Sequence, residues 1–241
     1  MTNKISIEFD VSLQVAYFVE RPNRFVIRCI LDTNGEMVDA HLPDPGRLRE
    51  ILIPGRKVWL RPVNSPGRKT KWSAQLSETP EGNSLISLDS TLPNDLIYKA
   101  LDRKAMEEFL DWSLVSREYT VGNSRFDFLL SNDDGDKLVL EVKSVTLAQD
   151  RIGFFPDAIT ARGRRHVREL INISKRSGWK GAILFVAQRS DVDVIRAAKH
   201  IDPKFARELA NANNAGVYIF GRRCYVTPKA ISLGESVPVE C

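Results

Sequence analysis

The strongest constraint on the fold is a change in sequence pattern near residue 89. Before it, from Leu13 to Asp89, short strand-like segments alternate with turn residues, and GRLREIL is the one brief helical candidate. The strand candidates are LQVAYFVE, RFVIRCIL, EMVDAHL, KVWLRPV, KWSAQLSE and SLISLD. Several short strands separated by turns that contain Gly and Pro predict a small β-barrel.

After residue 89 strands and helices alternate. Asn94 is predicted to cap a helix over 95–111, and further helices are predicted over 160–177 and from Pro203 to just before Gly216. The strand candidates are REYTV, SRFDFLL, KLVLEVKSV, AILFVAQ and VYIFG. This alternation indicates an α/β domain. We therefore predict a mixed α/β chain with a barrel domain over 1–88 and an α/β domain over 89–241.

Composition and charge narrow the class of protein. The 241 residues are 43% hydrophobic and 27% charged, and a net charge of +4 permits a polyanionic partner without requiring one. An odd number of cysteines without CxxC spacing favours reduced thiols. The first ten residues, MTNKISIEFD, contain acids and no apolar run, so no signal peptide is predicted. No apolar run is long enough to span a bilayer. We expect a cytoplasmic protein with no membrane partner.

The segment EVKSVTL places two opposite charges on one face of a strand that is otherwise apolar. Strand alternation puts Glu141 and Lys143 on one face and Leu140 and Val142 on the other. Asp127 lies in SRFDFLL, and thirteen residues separate it from Glu141. If the two strands pair as a hairpin through NDDGD, Asp127, Glu141 and Lys143 share one face. This predicts two carboxylates and an ammonium group that converge on a sheet.

Such a set fits metal-dependent cleavage of phosphodiesters. Magnesium takes one or two carboxylates and keeps several waters, and it can activate water and neutralise charge on a phosphate. Lys143 would then serve as a point charge for the phosphate or orient the attacking water. The alternative is structural, since an Asp and an ExK motif on neighbouring strands also occur as solvated charges or as a cross-strand ion pair.

Basic residues concentrate in two windows, 41–72 and 151–180, one in each predicted domain, as expected if a phosphate backbone passes over both. Trp72 lies among the cations of the first window and is a candidate platform for base stacking, whereas Trp59 is predicted to be core. His166 is predicted to be a surface residue. The candidate nucleic-acid contacts are Arg47, Arg68, Lys69, Lys71, Trp72, Arg162 and Arg165.

Five segments together resemble the sugar fermentation stimulation protein A family: HLPDPGRLREILIPG, SRFDFLL, LEVKSVTL, FFPDAITARGRRHVREL and IDPKFARELANANNAGV. The resemblance runs in order from about residue 13 to about residue 220. It implies an N-terminal OB-like barrel and a C-terminal restriction-endonuclease-like domain similar to the PD-(D/E)xK nuclease superfamily. It also implies a cytosolic bacterial or archaeal protein that binds DNA, with a role in regulating sugar utilisation genes.

The resemblance also implies roles for individual residues. The superfamily's metal-binding acids fall on Asp127 and Glu141, and its catalytic lysine falls on Lys143. A glutamate from the preceding helix often joins such sites, with Glu107 and Glu108 as candidates, and Gln188 is a further candidate near the site. The family commonly has Asn and Thr where this chain has Asp44 and Pro45. Asp44 is predicted to cap a short helix that begins near Gly46.

Three functions remain open at this point. The first is a DNA-binding protein with a nuclease-like site competent for Mg²⁺ or Mn²⁺. The second is an active magnesium-dependent DNA endonuclease, and the third is an RNA-binding or RNA-processing protein. The pattern leaves the oligomeric state open, with a dimer allowed, and leaves open whether the DNA is single- or double-stranded.

Overall fold

A computed structural model of the chain describes residues 5–241. Residues 1–4, which belong to the predicted first domain and to the segment tested for a signal peptide, lie outside the described residues. The helices are α1 (Leu92–Asp102), α2 (Ala161–Ser174) and α3 (Pro203–Asn214), with a 3₁₀ turn at Glu107–Phe109. The strands are β1 (Ser6–Glu8), β2 (Gln14–Asn23), β3 (Val26–Leu31), β4 (Met37–His41), β5 (Lys57–Pro62), β6 (Trp72–Glu78), β7 (Leu85–Ser87), β8 (Ser113–Val121), β9 (Ser124–Ser131), β10 (Lys137–Val145), β11 (Ala148–Gln149), β12 (Ile152–Phe155), β13 (Trp179–Ala187), β14 (Val194–Ala197), β15 (Tyr218–Val226), β16 (Ala230–Ser236) and β17 (Val239–Glu240).

Strands β2 to β6 close into a five-stranded barrel, and β7 extends it at β6. The sheet order is β4-β3-β2-β5-β6-β7, and a parallel pairing of β4 with β6 closes the ring. Alternate residues such as Ile27, Cys29 and Leu31 are buried inside because successive side chains of a strand point to opposite faces. The small β-barrel predicted from the short strands is confirmed.

Two local predictions in the barrel are wrong. GRLREIL forms turns rather than a helix, and Leu48 adopts a left-handed backbone (φ 48°) that interrupts any helix there. Trp59 is only half-buried and points out of the barrel, because Val58 and Leu60 on either side of it occupy the interior. Trp72, by contrast, packs partly buried against the barrel core.

The second half of the chain is built on a seven-stranded mixed sheet of order β1-β16-β15-β13-β10-β9-β8. At its centre β10, β13 and β15 are parallel. The central strand β13 is buried along almost its whole length, as its continuous apolar run predicts. One face of the sheet packs against α1 and the other against α2 and α3. Within residues 5–241, no helix is long and apolar enough to cross a membrane.

The N-terminal strand departs from the predicted division of the chain. β1 pairs antiparallel with β16, so Ser6–Glu8 belongs to the sheet of the α/β unit rather than to the barrel. The division at residue 88 otherwise stays a prediction.

Hydrogen bonds join the barrel to the α/β unit at two separate places. The backbone N–H of Ser87 donates to the carbonyl of Gln188 (3.0 Å), next to the end of β13. The backbone N–H of Arg47, in the loop after β4, donates to Oδ2 of Asp157 (2.7 Å). Because these contacts involve different edges of the barrel, they set its orientation as well as its position.

Candidate metal centre

Asp127 and Glu141 come together because β9 and β10 form the predicted hairpin. The pairing of the two strands ends at Phe128 and Leu140, and Asp127 and Glu141 are the next residues outward along them, close enough for their charges to interact. Oδ2 of Asp127 accepts a hydrogen bond from the backbone N–H of Val142 (2.7 Å). The alternation predicted for β10 is observed, since its even-numbered residues enter the core that contains α1.

The two oxygens of Glu141 have different surroundings. Oε1 interacts with both the ammonium group of Lys143 and Nδ1 of His166, the latter at 2.6 Å. Oε2 is buried and has no hydrogen-bond partner among the described residues. The whole residue is only 4% exposed. A buried carboxylate oxygen without a partner is costly, and such sites call for a bound ion or water.

His166 is a buried member of this site, so the prediction of a surface residue is wrong. It is 1% exposed, and its ring packs against Phe126. Nε of Arg162 donates to Nε2 of the ring (3.4 Å), which makes Nε2 the acceptor and places the ring proton on Nδ1. His166 therefore donates to Glu141 and holds its Oε1 in place.

Asn94 also belongs to the site, although it was predicted to cap a helix. Helix α1 begins at Leu92, with Thr91 at its N-cap, so Asn94 lies inside the first turn. Its Nδ2 donates to Oδ1 of Asp127 (2.7 Å). Both oxygens of Asp127 are thus engaged, one by the backbone of Val142 and one by this amide.

The pKa values of the two carboxyl groups are shifted in opposite directions. Burial, followed by the proximity of Glu141, raises the pKa of Asp127 from 3.8 to about 6. Burial also acts to raise the pKa of Glu141, but Lys143 and then His166 outweigh it and lower that pKa below its usual value. Glu141 is therefore ionised at neutral pH. A cation beside the pair would relieve the repulsion that raises the pKa of Asp127.

The other residues considered for the site lie elsewhere. Glu108 forms an ion pair with Arg222 (2.7 Å), and Glu107 is exposed at the start of the 3₁₀ turn. The residue that the preceding helix contributes is therefore Asn94. Gln188 donates to Oγ of Ser144 (2.8 Å), and strand alternation puts Ser144 on the face opposite Glu141.

The predicted nucleic-acid residues divide into four groups. Arg68, Lys69 and Lys71 are exposed in the loop between β5 and β6, and none of them contacts the carboxylate site among the described residues. Arg47 is exposed in the loop after β4. The exposed α2 residues are closest to the site: Arg162 contacts His166, and Arg165 contacts Oγ of Ser124 (3.4 Å). Trp72, partly buried against the barrel, offers less free ring surface than predicted.

Sequence reasoning missed Asn94 and His166 for different reasons. His166 carries a usable signal, because it shares the buried stripe of Gly163, Val167, Leu170 and Ile173 at helical spacing. Asn94 carries none, because its partner lies 33 residues away on a strand and only the packing of α1 brings them together.

Comparison with known proteins places this architecture in a family. The family model described as the sugar fermentation stimulation protein RE domain matches residues 91–230, and the SfsA N-terminal OB domain matches residues 19–88. The restriction-endonuclease-like class predicted for the second half is thereby confirmed, as is the OB class of the first.

Two relatives and one solved structure cover nearly the whole chain. A sugar fermentation stimulation protein homolog of Shouchella clausii is 47% identical over 92% of this chain and 95% of its own length. One from Clostridium acetobutylicum is 39% identical over 97% of this chain and 99% of its own. The structure of Pyrococcus furiosus SfsA in complex with Ca²⁺ has a TM-score of 0.86 at 29% identity and covers 99% of both chains. With both halves matched in order, the chain belongs to the sugar fermentation stimulation protein family.

Proposed function

We propose that this protein binds DNA and holds a divalent metal ion at Asp127 and Glu141, in a site able to hydrolyse phosphodiester bonds. The observation that carries the proposal is the buried Oε2 of Glu141, which has no partner among the described residues and belongs to the carboxylate whose charge helps to raise the pKa of Asp127. A buried carboxylate oxygen without a partner calls for a bound ion or water, and this one belongs to a side chain beside a second carboxylate, that of Asp127.

The donor set suits a hard divalent cation. Carboxylate oxygens are the ligands that Mg²⁺ and Mn²⁺ prefer, and Mg²⁺ commonly takes only one or two of them. Among residues 5–241 no group of three or more His, Cys, Asp or Glu side chains gathers as metal ligands, which fits a site of two carboxylates better than a closed structural centre. The relative from Pyrococcus furiosus, solved in complex with Ca²⁺, supports a divalent ion of this chemical type.

The residues around Asp127 and Glu141 have distinct roles in this proposal. A divalent ion bound there supplies charge neutralisation and a more acidic bound water. Lys143 carries the positive charge closest to Glu141 and can act as a point charge for a phosphate oxygen. His166 and Asn94 fix one oxygen of Glu141 and one of Asp127, so that neither carboxylate has to reorganise on binding.

DNA is the proposed substrate because both halves of the chain carry exposed basic residues and the first half is an OB barrel. The exposed arginines of α2 lie beside the site, and the cations of the β5–β6 loop lie on the barrel. An effect on sugar utilisation genes, which the family's name suggests, would in this proposal follow from DNA binding.

The first test is a cleavage assay on single-stranded, duplex and branched DNA and on RNA of matched sequence, with Mg²⁺, Mn²⁺ or no metal. The protein is compared with Glu141→Gln, Asp127→Asn and Lys143→Ala, and Glu107→Gln serves as the matched control. We expect metal-dependent cutting by the protein and by the Glu107 variant, and a loss of at least 100-fold in the three site variants.

The outcomes separate the candidate functions. Cleavage that persists in the Glu141 and Lys143 variants would overturn the proposed site. Binding without cleavage under every condition would reduce the function to DNA binding, and stronger activity on RNA than on DNA would favour RNA processing.

A further inference from the structure

A pocket lined by four arginines opens on the barrel, away from the two carboxylates. Its volume is about 440 Å³, and its charged lining residues are all cationic: Arg21, Arg24, Arg47 and Arg49. The side chains of Arg24, Arg47 and Arg49 make no hydrogen bond or ion pair with other described residues. Unpaired guanidinium groups converging on one concavity, with no acid in its lining, are the arrangement that binds phosphate.

Arg21 has a structural role in the pocket, because its guanidinium group is already bound by protein groups. Its guanidinium donates to the backbone carbonyls of Gly46 (2.8 Å), Arg47 (2.7 Å) and Arg24 (2.9 Å). It thereby ties the loop after β4 to the β2–β3 turn, and these two segments carry the other three arginines. Its Nε is buried without a partner among the described residues.

The arginine pocket adjoins a second cavity, and the lining of that cavity includes one residue next to the candidate metal centre. A second cavity of about 610 Å³ lies between the barrel and the α/β unit, and it shares Arg24, Pro45 and Gly46 with the arginine pocket. Its lining includes Arg162, which contacts His166, the partner of Glu141, and also the carboxylates of Asp44 and Asp157. The bond from Arg47 N–H to Asp157 holds the pocket loop on the same α/β unit. A ligand that fills both cavities therefore reaches Arg162, which contacts the histidine partner of Glu141.

Two apolar side chains stand exposed along this path. Phe25 follows Arg24 directly and is 52% exposed, and Ile159 is 73% exposed in the wall of the interdomain cavity. An exposed aromatic ring beside cations is the combination with which single-stranded nucleic acids are bound, since bases stack on the ring while phosphates meet the cations. A cavity of 610 Å³ is of the size that encloses a small molecule, so it admits nucleotides of one strand rather than a double helix.

We propose that the pocket of Arg21, Arg24, Arg47 and Arg49 binds a backbone phosphate of single-stranded DNA, and that the strand continues through the interdomain cavity toward Glu141. The exposed ring of Phe25 stacks on a base next to that phosphate. This inference rests on the proposed function for the direction of the strand, but the phosphate site itself requires only the pocket. It extends the proposed function by specifying that the DNA substrate is single-stranded where it is bound.

The test is equilibrium binding of the full chain to a fluorescein-labelled oligothymidylate and to a duplex of equal length, in EDTA so that no cleavage occurs. The variants are Arg24→Ala/Arg49→Ala and Phe25→Ala. Arg207→Ala, an exposed arginine of α3 that makes no ion pair among residues 5–241, is the matched control. Circular dichroism and melting temperature establish that each variant is folded.

We expect the double arginine variant to bind the single strand at least tenfold more weakly and to reduce the salt dependence of binding by about 1.4 in log–log slope, about 0.7 for each lost phosphate contact. Phe25→Ala should lose about 5- to 100-fold for the single strand and much less for the duplex. Arg207→Ala should bind within about twofold of the parent chain.

Equal affinity of the double arginine variant and the control would overturn the inference. Inorganic phosphate and thymidine monophosphate are added as competitors. If either displaces the oligonucleotide only at concentrations typical of a nonspecific salt effect, the site belongs to DNA. If they bind tightly at the arginines while oligonucleotide binding is unaffected by the substitutions, the ligand is a free phosphate compound and the DNA assignment is wrong. The parent chain could fail to cleave any substrate while the double arginine variant still loses binding. That result would support the phosphate pocket and would remove the catalytic part of the proposed function.

Discussion

Nδ1 of His166 lies 2.6 Å from Oε1 of Glu141, and both side chains are almost completely buried. The contact joins α2 to β10 and leaves the second oxygen of Glu141 as the one without a partner. A hydrogen bond of this kind orients a metal-binding carboxylate without itself touching the metal.

Replacing this histidine should weaken metal binding. His166→Phe keeps an aromatic ring in the buried space but removes the donor, so Glu141 is held by Lys143 alone. We expect the affinity for Mn²⁺ or Ca²⁺, measured by isothermal titration calorimetry, to fall about 10- to 100-fold. His200→Asn, at an exposed histidine, is the control. Unchanged affinity in the His166 variant would show that Glu141 needs no positioning partner.

A carboxylate at position 94 should make stability more dependent on metal. Asn94→Asp replaces the amide that donates to Asp127 with a third negative group beside the pair. Without metal, repulsion should lower the stability by about 1–3 kcal/mol. With Mn²⁺, the rise in melting temperature should exceed that of the parent chain, because the ion binds the folded state more tightly. Asn123→Asp, in the exposed turn between β8 and β9, should respond to Mn²⁺ as the parent does.

Asp44 should make the stability of the protein fall between acidic and neutral pH. Burial, with Asp157 and Asp89 nearby, raises its pKa from 3.8 to about 6, against the lowering effects of the Gly46 N–H and of Arg21. The folded state therefore binds the proton more tightly than the unfolded chain does. Stability is greatest below about pH 4 for this group, falls as pH rises toward 6, and stays lower above it.

Neutralising this group tests that direction. Asp44→Asn keeps an acceptor for the Gly46 N–H and removes the buried charge, so it should stabilise the protein by at most about 3 kcal/mol at pH 8 and by little at pH 4. Denaturant titrations of the variant at both pH values measure the difference. Asp111→Asn, at an exposed aspartate, provides the comparison. A larger gain at pH 4 than at pH 8 would contradict the assignment.

Gly46 should be intolerant of a side chain because two domains meet there. A Cβ at this position would lie 2.4 Å from Oδ2 of Asp157 and 2.8 Å from Oδ1 of Asp44. Gly46→Ala should therefore destabilise the protein by about 1–3 kcal/mol. In the double variant with Asp157→Ala the clash with Asp157 disappears, so the two changes should cost less together than the sum of each alone. Additive costs in this cycle would show that the alanine is accommodated elsewhere.

The cations of the β5–β6 loop should contribute affinity without sequence preference. Lys69→Glu/Lys71→Glu reverses two exposed charges, and binding should weaken to a similar extent for all DNA sequences, since phosphate contacts carry no sequence information. The same change at two exposed lysines elsewhere, Lys204→Glu/Lys229→Glu, is the control. Altered sequence preference at unchanged overall affinity would be inconsistent with this role.

Local pattern alone was sufficient to predict the strand pair that carries the candidate site. Alternation along β10 separates Glu141 and Lys143 from Leu140, and a short turn returns the chain so that Asp127 comes near Glu141, one residue beyond the last strand pair. These relationships depend on a period of two and on a hairpin, both of which are local in the chain. The barrel and the α/β unit were predictable for the same reason.

The remaining parts of the site depend on contacts between distant segments. His166 and Glu141 are 25 residues apart, Asn94 and Asp127 are 33 apart, and Arg47 and Asp157 are 110 apart. No local period links such pairs, because their approach is set by how α1 and α2 pack on the two faces of the sheet and by how the barrel docks against it. The sequence by itself therefore determined which strands hold the carboxylates. Only the tertiary structure decided which side chains complete the site, because that depends on packing between elements rather than on the conformation of any one of them.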